Sequence, residues 1–144
     1  MRFSNVRETA RAVAETVLIR TDADIVEARR CMRDLAKPLE LSSGDLAMVA
    51  TAVSELARNI LVYAGGGTID LSLIDQNSHR GVLVVAQDEG PGIADIELAM
   101  QDGYSTSNGL GLGLPGSDRL MDEFDLVSEV GVGTTVTAKK WAPG

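Results

Sequence analysis

The chain has 144 residues, 44% of them apolar, with one cysteine, one histidine and five aromatics, and its 13 basic against 21 acidic residues leave a net charge of −8. A single domain of this length buries about 68–70% of its unfolded surface without staples, and the lone Cys31 leaves no internal disulfide or Cys-rich zinc site, which fits a reducing, cytoplasmic setting. The acidity argues against a general nucleic-acid or anionic-membrane binder, the aromatics are too few for a base-stacking platform, no apolar run approaches the roughly 18–20 residues of a membrane span, and the N-terminus lacks the apolar stretch of a secretory signal.

Residues 1–15 are Arg- and Ala-rich with little β signal, and read as an extension, helical or disordered, ahead of a domain over 16–144. Glu15–Arg20 predicts a short strand. Thr21 and Asp24 have capping-box spacing, and Ile25, Ala28, Met32, Leu35 and Ala36 recur with helical period until Pro38. Ser42 and Asp45 repeat that spacing before a second helix over about 43–63, which Gly65-Gly66-Gly67 ends. Strands at Thr68–Asp75 and Gly81–Gln87 flank a polar turn and predict a hairpin. A D-E-G-P-G-I loop leads to a short helical pattern near Asp95–Gln101, and residues 102–113 read as loop. A helix opens at Leu114-Pro115 and runs to about Asp122. Strands at Phe124–Val130 and Thr134–Trp141 close the chain. The pattern is α+β: a two-layer sandwich, a mixed and mostly antiparallel sheet with helices on one face.

Three segments could carry chemistry. In S-E-L-A-R-N, Glu55 and Asn59 lie four apart and share a helix face. They could hold a base and an oxygen ligand for Mg²⁺ at adjoining points; alone, the pair also reads as a solvated polar stripe. In D-E-G-P-G, Asp88 ends an apolar strand and precedes Gly90 and Gly92, which suits close backbone approach to a ligand; alone, it is also an ordinary turn. In G-L-G-L-G-L-P-G, alternating glycines precede a helix start, where backbone N–H groups and the helix dipole can receive phosphate. A flexible lid without ligand fits that segment equally. No strand precedes it, so a dinucleotide fingerprint fails, and Ser117 stands where a P-loop needs lysine. His79 reads as a turn residue and Cys31 as a small buried hydrophobe.

Taken together, E-x-x-x-N on a helix, D-x-G-x-G after a strand, and G-x-G-x-G at a helix start resemble the N, G1 and G2 boxes of the GHKL ATPases, which include gyrase, the heat-shock chaperone ATPase and histidine kinases. The wording S-E-L-A-R-N-I, E-G-P-G-I, Y-S-T-S-N-G-L-G-L-G-L-P-G and R-L-M-D-E-F is most similar to the RsbT-type serine/threonine protein kinases, related to the SpoIIAB type. The resemblance spans about residues 16–141. It implies a Bergerat-type ATP-binding fold with ATP and Mg²⁺ as cofactors. It also implies Glu55 as general base, Asn59 as Mg²⁺ ligand, Asp88 as the reader of the adenine amine, and Gly90 and Gly92 as room for the base. Thr134 would support adenine recognition through water, with Thr135 its rival. Residues 102–112 would form a lid, with Thr106, Gly109, Gly111, Gly113 and Leu114 in the ATP-binding set. Arg58 and Arg119 would be phosphate or partner contacts. The implied activity is phosphorylation of a STAS-domain regulatory protein in a partner-switching, stressosome-like pathway. The alternative is a nucleotide-binding anti-sigma or phosphatase-activating module acting by stoichiometric capture. A metal-dependent phosphatase or a sigma factor is the further expected partner, nucleic acid and membrane are not expected, and the pattern commits to no oligomeric state.

Charge adds one expectation. No Lys or Arg lies between Arg80 and Arg119, whereas residues 1–33 hold seven Arg. A phosphate site in the basic-free stretch must rely on backbone N–H groups, a helix N-terminus and a bound cation. The Arg-rich first 33 residues are the better place for an acidic protein partner.

Overall fold

A computed structural model describes residues 2–4, 10–101 and 113–143. Strands β1 (Arg2–Ser4) and β2 (Ala10–Ile19) precede helix α1 (Asp22–Ala36), a 3₁₀ turn (Lys37–Leu39) and helix α2 (Ser43–Ala64). The hairpin β3 (Gly67–Gln76) and β4 (His79–Asp88) follows, then α3 (Ile96–Ala99), α4 (Gly113–Leu120), and the hairpin β5 (Glu123–Glu129) and β6 (Gly133–Trp141). The strands form one sheet in the order β1-β5-β6-β4-β3-β2. The α+β sandwich expectation holds. The described sheet is wholly antiparallel rather than mixed.

The helix starts follow the capping chemistry. Asp24 takes the backbone N–H of Thr21 at 2.9 Å and of Arg20 at 2.8 Å, satisfying two donors that the start of α1 would leave open. These bonds hold the Asp24 carboxyl below its usual range. Ser42 Oγ accepts the Asp45 N–H at 3.0 Å, and Gly65, at φ +78°, ends α2 in the left-handed conformation.

The core lies between the helices and one sheet face. Ile25, Ala28, Met32 and Ala36 of α1 and Val49, Val53, Leu56 and Ile60 of α2 are buried. They meet Ile69, Leu71, Val82, Val84, Phe124 and Val136 from the strands. Strand β4 is buried from Gly81 to Ala86 because it is central in the sheet: Val82, Val84 and Ala86 belong to the core under the helices, and Leu83 and Val85 cluster with Ile74 and Trp141 apart from it. Helix α2 matches a membrane span in length and mean hydropathy, but half of its apolar stretch is buried inside the domain. It is the central core helix.

The N-terminal reading needs correction. Residues 2–4 and 10–15 are strand, not helix or frayed extension, and a domain boundary at 15/16 would cut β2 in its middle. Strand β2 pairs with β3 from Ala10 to Ile19, with one irregularity between Arg11 and Val13, and β1 pairs with β5. An Arg/Ala-rich sequence has weak β preference of its own, and the partner strands override it.

Candidate active site

Between the sheet, α2 and the segment after β4 lies a cavity of about 430 Å³, the size of a small-ligand site. Its apolar surface comes from Leu56 and Ile60 of α2, Ala86 of β4, Val136 of β6 and Leu114 of α4. Asn59, Asp88, Thr134 and Asp95 supply polar groups, and among the described residues no Lys, Arg or His lines it. A few convergent polar groups over an apolar floor suit a flat, partly polar base.

Sheet register assembles the base end. Asp88 pairs with Thr134 on β6 and with Gly67 on β3. Thr134 therefore lies beside Asp88 and lines the cavity. Thr135 pairs with Gln87 and, by strand alternation, faces the other side of the sheet; the choice between the two threonines falls on Thr134. Asp88 Oδ1 accepts the Gly90 N–H at 2.9 Å, which fixes the carboxylate and leaves Oδ2 for a ligand.

The two glycines do more packing than the sequence suggested. A side chain at Gly90 would come 2.6 Å from the Ala64 Cβ, so Gly90 lets the loop close onto the end of α2. Gly92 has φ +76°, and a Cβ there would lie 2.4 Å from the Glu129 carbonyl oxygen. Gly92 lines the cavity; Gly90 works from behind it.

Ser128 was not anticipated. Its Oγ accepts the Ile93 N–H at 2.7 Å and lies 2.8 Å from Thr134 Oγ1 and 3.2 Å from the Gly133 carbonyl oxygen. One hydroxyl thus ties the loop after β4 to the β5–β6 turn and orients Thr134. Nothing in the sequence marks this serine of β5 for the task; only the register brings it there.

At the other end, α2 carries Glu55, Arg58 and Asn59. Glu55 is 7% exposed. Its Oε1 accepts from Arg58 Nη1 at 3.0 Å and its Oε2 from the Gly113 N–H at 3.4 Å. Gly113, at φ +65°, is the first residue of α4. The base candidate therefore sits beneath the helix start that the sequence marked for phosphate. Asn59, one turn on, lines the cavity, and its buried Nδ2 has no hydrogen-bond partner among the described residues. No cluster of three His, Cys, Asp or Glu suited to a metal occurs among the described residues. The donor set fits Mg²⁺ held by one amide oxygen, ligand phosphates and water, the arrangement this ion favours. Asp118 on α4 is pushed up by burial, with Arg119 opposing the shift. Thr106, Gly109 and Gly111 lie outside the described residues. Of the expected set, the structure brings Asn59, Asp88, Gly92, Leu114 and Thr134 to one cavity, with Glu55 and Gly113 at its back.

Comparison with known proteins agrees with this geometry. The family described as histidine kinase-like ATPase domain matches residues 4–140. Serine/threonine-protein kinase RsbT of Bacillus subtilis (strain 168) is 51% identical over 125 residues, which cover 87% of this chain and 94% of that protein. An anti-sigma F factor of Halalkalibacterium halodurans is 35% identical over 107 residues, 71% of this chain and 73% of that protein. In fold, the chain is similar to the crystal structure of the RsbU and RsbW domains of a Mycobacterium tuberculosis protein, with TM-score 0.60 and 16% identity, over 92% of this chain and 34% of that one. Matched along nearly its whole length, the chain belongs to the histidine kinase-like ATPase family, among the serine/threonine-protein kinases of the RsbT type.

Proposed function

We propose that the protein is a Mg-ATP-dependent serine/threonine kinase that phosphorylates a STAS-domain regulatory protein in a cytoplasmic partner-switching pathway. The observation that carries this reading is the pairing on α2: a buried carboxylate, Glu55, and a cavity-facing amide, Asn59, one turn apart beneath the start of α4. Asp88 and Thr134 would hold the adenine edge, and the α4 N-terminus would meet the phosphates. Asn59 Oδ1 would hold Mg²⁺, which supplies charge neutralisation across the phosphates. In the transfer, the acceptor hydroxyl oxygen bonds to the γ-phosphorus as the bond from that phosphorus to the β–γ bridging oxygen breaks. ADP leaves with the electron pair, and Glu55 takes the hydroxyl proton. Positioning and charge neutralisation are most of what this chemistry demands. No basic residue lines the cavity among the described residues, which makes the metal's share large. By analogy with the relatives, phosphorylation would release the kinase toward a second partner, a metal-dependent phosphatase or a sigma factor.

A second reading has its own support: both Glu55 oxygens already accept hydrogen bonds, as suits a module that binds nucleotide and captures a partner with little turnover. Asn59→Ala and chelation of Mg²⁺ separate the two. The kinase reading expects nucleotide binding, phosphate transfer and partner release to fail together. Partner release that persists without nucleotide favours capture alone.

A further inference from the structure

Arg58 had no assigned role beyond a phosphate or partner contact, yet its side chain is turned onto Glu55. The pair is asymmetric in exposure: the Arg58 side chain is 39% exposed, while that of Glu55 is 9% exposed. The contact is 3.0 Å from Nη1 to Oε1, within one helix at a spacing of three residues. A buried carboxylate needs a counter-charge, and a charge-assisted bond is roughly twice as strong as a neutral one. The bond on the other oxygen is different. The Gly113 N–H reaches Oε2 at 3.4 Å, long for a hydrogen bond, and comes from 58 residues away on the first residue of α4. One oxygen is held by a short ion pair within a rigid helix; the other is held by a long hydrogen bond from an uncharged backbone donor on a different element.

We propose that Arg58 is a positioning residue for the base: it fastens Glu55 Oε1 so that Oε2 is the oxygen that accepts the proton, once the Gly113 N–H is drawn from it. The inference rests on the kinase reading above. The start of α4 is where backbone donors would receive a phosphate. A phosphate competing for the Gly113 N–H breaks the weaker bond and leaves the stronger one. Oε2 then gains a free lone pair while Oε1 stays clamped. The orientation of the carboxylate is thus fixed within α2 and does not depend on α4. Ser54, on the same helix, takes Arg29 Nη1 at 3.1 Å and donates to the Ala50 carbonyl at 2.8 Å. That link to α1 stiffens the helix at the residue before the base.

The test compares wild type with Arg58→Ala, Arg58→Lys and Glu55→Gln, reading nucleotide Kd with a fluorescent ATP analogue, kcat for phosphate transfer, and thermal unfolding. The expected result is a kcat for Arg58→Ala about 10–100-fold below wild type with nucleotide Kd within about twofold, since a base loses efficiency when its geometry loosens. Arg58→Lys, which keeps the charge and loses the fork, recovers most of that rate. In a Glu55→Gln background the residual rate is the same with Arg58 or Ala at position 58. A parallel loss of nucleotide affinity, or additive losses in the double variant, overturns the inference and makes Arg58 a phosphate contact. Should Arg58→Ala fail to fold, Arg58→Lys and Arg58→Gln carry the same comparison. Active wild type with unchanged kcat in all Arg58 variants overturns this inference alone; wild type that transfers no phosphate overturns the kinase reading and this inference with it.

Discussion

Glu55 and Asn59 are four residues apart, yet they have different surroundings. Glu55 is enclosed by Arg58 and the start of α4, and Asn59 opens onto the cavity. The spacing of the pair was legible in the sequence because one helix sets it. The partners of Glu55 were not, because Gly113 arrives through tertiary packing and the direction of Arg58 depends on which neighbours surround it. Ser128 is the same case: its two partners come from separate loops. Cys31 conforms to its sequence reading as a small buried hydrophobe. Burial, then hydrogen bonds to the Glu15 and Glu27 carboxylates, push its thiol up to about 11 from 9.0. The neutral thiol is therefore favoured in the folded state. As pH rises from 9 toward 11, the unfolded chain gives up a proton that the folded chain keeps, and stability falls. Alkylation of Cys31 in the native protein at pH 8 is expected to be many-fold slower than in denaturant, with the native rate climbing only toward pH 11. Equal rates in the two states would contradict this account of the site.

The elements that frame the site were visible where their signals are local. Capping spacing placed the starts of α1 and α2, a polar turn placed the first hairpin, and the glycines of Gly131-Val132-Gly133 placed the second. The strands within the first fifteen residues are not legible from sequence because their pairing is long-range: Arg2–Ser4 joins β5, more than a hundred residues away in sequence. Strand formation there is decided by the partner edge rather than by the segment's own preference. At the base end, the loop after β4 is clamped on two sides, by Gly90 against Ala64 and by Gly92 against Glu129. Gly92→Ala meets both a backbone overlap and a positive φ. It is expected to cost about 1–3 kcal/mol of stability and to weaken nucleotide binding, because the same loop carries Ile93 onto Ser128. Denaturant unfolding and nucleotide titration check the two parts. A variant with native stability and native affinity would show that the loop tolerates the clash by moving, and that its position does not shape the cavity.

For the whole molecule, the charge that first argued against anionic ligands now specifies how one would bind. In this chain of net charge −8, no described Lys, Arg or His lines the cavity. The helix start at α4, the Asn59 amide and a divalent ion are what remain to offset the phosphates. Asn59 on α2, Asp88 at the end of β4 and Leu114 at the start of α4 line one cavity, and only the antiparallel sheet with α2 across it brings them together. Their order was readable from the sequence; their enclosure of one cavity needed the fold. The most direct test is phosphate transfer from γ-labelled ATP to a purified STAS-domain partner, followed by analysis of which amino acid carries the label. The kinase account predicts acid-stable label on serine or threonine, lost when Mg²⁺ is chelated and reduced at least about 100-fold by Glu55→Ala. Label on histidine, or transfer undiminished in Glu55→Ala, would contradict it.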